Sequence, residues 1–393
     1  MNYLVAVNRK FGDNPSGSAR VAWDIACLAR DGGHNVVMLC QTPKLAAAKS
    51  EKSFEDGITI IRFGLGSGHF FQRRRHRQAV NAALCNHLGG FRPDTVHIHS
   101  LFIGDAVIAA LGHHQNYVAT IHSPVVPETR LNWEAQGWRG KAKIALGGLE
   151  WLRRVQNQVL DRCQRVHVLS QYTQRELEQY VPKLPPISVI PHWRLPDLVR
   201  RETKAQARAE LNWPASEPVL FSLRRMVPRM GHETAIRAIA PLLQKYQARM
   251  VLAGDGPLRN TLQSLSAKLP GGNRIEFPGR ISDEHMRLMY SGADLFVLPT
   301  TALECFGLII LEAYSYGCPV LATNVGAIPE SVGPLMPEFL IEPDDIHQLR
   351  ERTQGFLSGQ LVAPAESTIL KYLETHYDLA IVGPKLMRFL EPV

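Results

Sequence analysis

Short apolar runs alternate with longer amphipathic stretches along the first half of the chain, the pattern that builds a parallel sheet flanked by helices. Strands are predicted at residues 3–7, 35–39, 95–99, 117–122, 165–169 and 187–190, and a helix over 17–31. A loop rich in glycine and small polar residues, 12–18, joins the first strand to that helix. The stretch 195–218 holds Pro196, Pro214 and Pro218 around a short charged helix and reads as a connection. A second alternating series follows, with strands at 218–223, 249–253, 275–277, 295–298 and 319–323, and helices over 232–247, 283–291 and 307–316. The expected fold class is α/β, with two doubly wound domains in tandem: 1–197, a linker 198–217, then 218–375, with a last helix in 376–393. Sheets of this kind bind ligands beyond the carboxyl ends of their strands, so a cleft enzyme is expected before any motif is considered.

Composition narrows the picture. The 393 residues exceed one ordinary core and let each domain bury its own. The chain is 45% hydrophobic and 20% charged, as soluble globular proteins are, and no run of about 18 apolar residues offers a membrane span. Its opening, MNYLVAVNRKFG, has the apolar stretch of a core strand without a basic lead, long apolar region or cleavage site, so secretion is not expected. Cys27, Cys40, Cys85, Cys163, Cys305 and Cys318 are scattered, with no C-x-x-C pair and no histidine at metal spacing. That usage suits a reducing cytoplasm and argues against a zinc site.

Charge is uneven. Residues 1–200 hold 25 Lys and Arg against 15 Asp and Glu, a balance of +10, while the remainder hold 19 against 21, a balance of −2. The first domain therefore suits an anionic partner. Arg73, Arg74, Arg75 and Arg77 stand beside Phe70 and Phe71, and Trp138, Arg139, Lys141, Lys143, Trp151, Arg153 and Arg154 mix the same types. Such mixing fits an anionic membrane surface or a phosphate-bearing acceptor; the alternative is solvated helix faces with their aromatics in the core. No helix-turn-helix, zinc finger or stacking-sheet motif appears, so nucleic acid is not an expected partner.

The most informative segment is 304–320, ECFGLIILEAYSYGCPV, after a predicted strand and turn. A helix starting near Phe306 and Gly307 would turn its free amide groups and positive dipole end toward the preceding loop, a ready site for a diphosphate. Gly307 lets the backbone come close to such a ligand. A structural alternative makes Glu304 a charge favourable to the helix dipole and Glu312 a surface carboxylate, although Glu312 would then sit without a partner in an apolar run.

The pattern E-x-F-G-x4-E-A-x3-G-x-P-V resembles the signature of retaining glycosyltransferases, especially glycosyltransferase family 4. Residues 223–231, LRRMVPRMG, are similar to the family loop G-R-L-x-x-x-K-G, which grips the departing diphosphate. Arg225 matches the family arginine, but Met230 stands where the lysine is usual and Arg224 where the glycine is, so Arg229 or Arg224 is expected to supply the second charge. AGDGP around Gly254 resembles the family's G-x-G-P turn, and Gly279-Arg280-Ile281 the loop whose backbone meets the nucleobase. In the first domain, Ser16 and Gly17 stand where the family commonly has a double glycine, and Gly17 with the following amides is expected near the donor phosphate. The segments 31–36, 91–100 and 119–123 match in order as well; His34, His97 and His99 are read as structural.

The resemblance, which runs from the first strand to about Pro343, implies the GT-B fold of two Rossmann-like domains facing across a cleft. It implies that Glu312 takes the ribose hydroxyls, that Glu304 and His122 face the donor sugar, and that Cys305, Phe306 and Leu308 belong to the same donor-binding turn. It further implies a retaining, metal-independent hexose transfer from a nucleoside diphosphate, UDP-sugar or GDP-mannose in type, to a saccharide or lipid-linked acceptor in cell-surface polysaccharide or glycolipid synthesis. The departing phosphate would help deprotonate the acceptor. No D-x-D motif stands at the expected strand end, so no metal and no cofactor beyond the donor are expected. The expected location is cytoplasmic, peripheral on the inner membrane face. A nucleotide-sugar epimerase or phosphorylase of the same fold, or a non-catalytic nucleotide-sugar-binding subunit, stays open as an alternative.

Overall fold

The computed structural model describes residues 1–13, 16–65, 72–112, 115–194, 198 and 202–392. They fold into two compact units, one formed by Met1–His192 together with the chain from Val382 onward, the other by Trp193–Ile381.

The first unit is built on an eight-stranded sheet: β1 (Asn2–Val7), β2 (Asn35–Gln41), β3 (Ser50–Glu55), β4 (Ile58–Phe63), β5 (Thr95–Ile98), β6 (Asn116–Ile121), β7 (Cys163–Val168) and β8 (Ile187–Val189). Its order is β3-β4-β2-β1-β5-β6-β7-β8, and every pair is parallel except β3 with β4. Leu4, Val5 and Ala6 of the central β1 are wholly buried, as a strand covered on both faces requires. The helix Gly17–Asp31 follows β1, its first turn capped by the Ser16 hydroxyl, which accepts from the Ala19 amide at 3.3 Å.

The β3–β4 hairpin was not anticipated. Its edge strand reads SEKSFE and presents mostly polar side chains, a common defence of an open sheet edge. Asp56 and Gly57 join the two strands, both with positive φ (47° and 78°), the two-residue turn that right-twisted strands favour.

The second unit carries a six-stranded, wholly parallel sheet: β9 (Val219–Leu223), β10 (Arg249–Ala253), β11 (Ile275–Gly279), β12 (Leu295–Leu298), β13 (Val320–Thr323) and β14 (Leu340–Ile341), ordered β11-β10-β9-β12-β13-β14. Phe221, Tyr290 and Phe296 pack edge to face or tilted in its core, with centroids 5.0 to 5.7 Å apart.

Residues 198–217, expected as a linker, belong to the second unit where they are described. The helix Lys204–Glu210 starts with a capping box between Thr203 and Gln206. Its buried Arg208 donates to the Gly292 carbonyl at 2.9 Å and to the Asp294 carboxylate at 2.5 Å. Pro196, part of the expected connection, lies outside the described residues. Near the other end, the helix Leu379–Leu390 carries the chain into the first unit, where Thr95 Oγ1 donates to the Leu390 carbonyl at 3.0 Å.

Candidate active site

In the second unit the loops after β9, β10, β12 and β13 meet at the carboxyl ends of their strands. Their approach is so close that glycine is obligatory at several points. A Cβ on Gly231 would lie 1.7 Å from the Pro299 carbonyl oxygen, one on Gly254 2.0 Å from that of Arg224, and one on Gly326 2.2 Å from that of Glu304. The Gly254 turn therefore buttresses the Arg224 loop; close loop packing, apart from any ligand, explains its glycine. The Ala327 amide donates to the Glu304 carbonyl at 2.7 Å, and Leu303 holds a positive φ of 52°, so the backbone around Glu304 is constrained on both sides.

Arg224 is the cation this frame brings inward. Its guanidinium donates to the Glu304 carboxylate at 2.5 Å and to Thr300 Oγ1 at 3.3 Å, and its Nε lies 3.2 Å from Met230 Sδ. Met230 is buried, so the position usually held by lysine carries a neutral side chain whose tip touches a guanidinium. Arg229 turns elsewhere and donates from Nη1 to the Leu303 carbonyl at 3.0 Å. Arg225 is exposed, while its carbonyl accepts from His232 Nε2 at 3.2 Å. Burial drives the His232 imidazole down to about 4, so it binds there as a neutral ring.

Gly307, with φ of 83°, caps the helix Leu308–Ser315 in the left-handed conformation, and a Cβ there would meet the Ile310 side chain at 2.9 Å. Cys305 and Phe306 are buried beneath the turn, whereas Leu308 is partly exposed. Glu312 is half-buried and accepts a hydrogen bond from the Tyr290 hydroxyl at 3.2 Å. Tyr290, which no motif signalled, comes from the helix Asp283–Gly292. Arg280 is exposed with Asp255 at 3.7 Å, and Ile281 beside it is half-buried.

In the first unit Gly17 is exposed at the amino end of its helix. His122 follows β6 and is half-buried, and its Nε2 lies 2.9 Å from His99 Nδ1. His97, His99 and His167 are buried behind it, and desolvation lowers all these rings, His122 to about 3 and His167 to about 4.

The same unit has a cleft of about 1250 Å³ whose lining includes Arg74, Arg77, Lys143, Phe102, Trp133 and Trp151. Asp105 accepts paired hydrogen bonds from both Arg73 and Arg77. Trp138 and Trp151 are not core residues: they are 76% and 43% exposed, and Trp151 stacks on Phe102. Phe70 and Phe71 lie outside the described residues. No described helix is long and apolar enough to cross a membrane.

Comparison with known proteins places these features. A sequence model described as Glycosyltransferase Family 4 matches residues 15–193, and one described as Glycosyl transferases group 1 matches residues 203–369. The chain is 26% identical over 198 residues to a GDP-mannose-dependent monoacylated alpha-(1-6)-phosphatidylinositol monomannoside mannosyltransferase of Corynebacterium glutamicum, covering 48% of this chain and 51% of that protein. It is 34% identical over 137 residues to a D-inositol 3-phosphate glycosyltransferase of Nocardia farcinica, 33% of this chain and 30% of that one. The matched region thus spans about half, or less, of these relatives' length. Among solved structures, sucrose-phosphate synthase of Thermosynechococcus elongatus superposes with a TM-score of 0.80 at 21% identity, covering 99% of this chain and 98% of that one. HepE of Anabaena, in complex with UDP and glucose, gives 0.74 at 19% identity over the whole of both chains. The two sequence models between them account for most of both units, and with the GT-B architecture of its structural neighbours the chain belongs to glycosyltransferase family 4, the group 1 glycosyl transferases.

Proposed function

We propose that the protein transfers a hexose from a nucleoside diphosphate to an acceptor hydroxyl, with retention at the anomeric carbon. The observation that carries this reading is the meeting of Arg224, Met230 and Glu304 beside the Gly307 turn. A guanidinium there replaces the missing lysine, and the helix amides past Gly307 add donors for the same diphosphate.

Departure of a diphosphate builds negative charge on its oxygens. Fixed amide dipoles, Arg224 and the exposed Arg225 stabilise that charge, and each such donor is worth about 3 kcal/mol, or 10² to 10³ in rate. Glu312, oriented by Tyr290, takes the ribose hydroxyls. Glu304 and His122 orient the sugar, and the leaving phosphate accepts the acceptor's proton as attack proceeds on the same face. Gly17 leaves room for helix amides to approach the donor. Arg280 and Ile281 border the nucleobase. The chemistry described needs no metal and no cofactor beyond the donor.

The acceptor is read as a saccharide or lipid-linked molecule bearing negative charge, taken by the basic and aromatic cleft of the first unit. The inositol-phosphate acceptors named for two relatives support that class. Exposed Trp138 and the surrounding cations suit peripheral attachment to an anionic membrane. The deciding experiment is a thermal-shift screen over UDP, GDP and ADP sugars, followed by product analysis with and without acceptor. A stabilising donor whose sugar reaches the acceptor with its anomeric configuration kept is expected. Inversion overturns the retaining assignment, and donor binding without any turnover, even hydrolysis, makes the chain a binding subunit.

A further inference from the structure

The first unit contains a line of hydrogen bonds whose direction is set at one end. His167 Nε2 lies 2.7 Å from the Ile190 carbonyl oxygen, which can only accept, so Nε2 carries the proton. In a neutral ring Nδ1 is then the acceptor, and it takes the Thr120 hydroxyl proton at 2.9 Å. Thr120 Oγ1, having given its proton, accepts from His97 Nε2 at 2.6 Å. His97 Nδ1 is therefore a lone pair, facing both the Tyr3 hydroxyl and His99 Nε2, the latter at 3.2 Å. A hydrogen on His99 Nε2 keeps two ring lone pairs from facing one another at that distance, and it leaves His99 Nδ1 to accept from His122 Nε2 at 2.9 Å. The line ends at His122 Nδ1, an enclosed atom with no hydrogen-bond partner in the protein.

We infer that this relay fixes His122 as its Nε2-protonated tautomer, so that Nδ1 is committed to accept a hydrogen bond from a ligand hydroxyl, and that His99, His97, Thr120 and His167 are positioning residues for it. No carboxylate bonds any of the four rings among the described residues, and burial keeps them neutral, so a single proton per ring is the state the geometry must satisfy. An enclosed acceptor without a partner is costly, and a sugar O–H removes that cost where hydrogen or fluorine in its place does not. The use of Nδ1 for the donor sugar rests on the transfer reading above; the tautomer itself does not.

The test is a nitrogen-15 spectrum of histidine-labelled protein at pH 7.5, with His122→Gln identifying the ring. His122 Nδ1 is expected at the unprotonated position and Nε2 at the protonated one. Thr120→Val cuts the relay and is expected to give mixed tautomers at His122 with a loss of about tenfold in kcat/KM, while Thr120→Ser restores both. A wild-type His122 protonated on Nδ1, or a Thr120→Val protein with the single tautomer intact, overturns the inference. Failure of every nucleotide sugar to turn over would instead overturn the transfer reading, and the spectrum would still decide the relay.

Discussion

The Arg224 guanidinium lies 2.5 Å from the Glu304 carboxylate, and its Nε lies against the sulfur of Met230. An arginine that stands where the family has glycine thus reaches the end of the side chain that stands where the family has lysine. The two departures from the pattern are one substitution in space. Before donor arrives, Glu304 neutralises Arg224; a diphosphate would compete with that carboxylate for the same fork.

Arg224→Ala should therefore lower kcat/KM by 10² to 10³, on the order of 3 kcal/mol, and weaken stabilisation by the nucleoside diphosphate. Met230→Lys alone should lower the melting temperature, because it buries an ammonium beside a guanidinium. The double variant Arg224→Gly with Met230→Lys recreates the family pattern and should recover at least tenfold of the lost activity. No recovery, with the fold intact, would detach Arg224 from the role of the missing lysine.

The two glutamates should separate in kinetics. Glu312→Ala is expected to weaken nucleotide binding, while Glu304→Gln mainly lowers turnover, with donor affinity kept or raised because Arg224 loses its competing carboxylate. Tyr290→Phe removes the hydroxyl that donates to Glu312 and should cost nucleotide affinity about fivefold, near 1 kcal/mol. Isothermal titration with the diphosphate, beside steady-state rates, separates the three. Wild-type affinity and rate in both glutamate variants would remove them from the site.

What the sequence made legible was whatever lies close along the chain. The apolar runs of β1, β10 and β12 fixed their own positions because a strand buried on both faces has few other readings. The β3 edge was missed because Ser50–Glu55 is too polar to show as a run, although the Asp56-Gly57 turn was a signal for it. Residues 198–217 looked like a linker because their four buried anchors among the described residues, Leu198, Ala207, Arg208 and Trp213, are diluted among exposed polar residues. Glu304, Gly307 and Glu312 were readable as one local pattern. Their partners were not: Arg224 is 80 residues from Glu304 and Tyr290 22 from Glu312, and strand register alone brings them together. His97 in β5 and His99 just past its end fall on one side by simple alternation, yet only the neighbouring β6 segment shows that they back His122.

Gly231→Ala tests the loop frame. Its φ of 68° and the Pro299 carbonyl 1.7 Å from an added Cβ leave no relaxation short of moving the β12 loop. A loss above about 3 kcal/mol is expected in denaturant titration. Gly89→Ala has a similar φ of 57° with nothing within 4 Å, and should cost only about 1 kcal/mol. Equal costs would mean that backbone strain, not loop contact, sets the requirement for glycine.

Membrane attachment through the basic and aromatic surface should be electrostatic in its salt response. Flotation with anionic liposomes is expected at about 0.05 M salt and lost near 0.5 M, where the screening length falls to roughly 4 Å. Trp138→Ala together with Arg74→Glu should abolish flotation while leaving donor binding intact. Binding indifferent to salt, or equal on neutral liposomes, would point to a soluble acceptor.

Acid should destabilise the protein well before its carboxylates titrate. A histidine whose folded pKa lies below its unfolded value of about 6.5 takes up a proton only on unfolding, so its stabilising state is complete above pH 6.5 and is lost as pH falls toward the folded value. Burial puts that folded value near 4 for His167 and well below the ordinary range for His97 and His99. Each such ring costs roughly 1.4 kcal/mol per pH unit below 6.5, and His122, near 3, and His232, near 4, add theirs, so the five together should remove on the order of 7 kcal/mol between pH 7.5 and 5.5. Glu55, held near 2 mainly by its hydrogen bond from Arg62, adds nothing in that window, because its contribution fades only below the ordinary carboxylate range. His167→Gln should flatten the slope by about a fifth, one ring of five. A stability profile level from pH 7.5 to 5.5 would mean that these rings gain and lose protons in the folded protein as freely as in the unfolded chain, and the neutral relay behind His122 could not then exist.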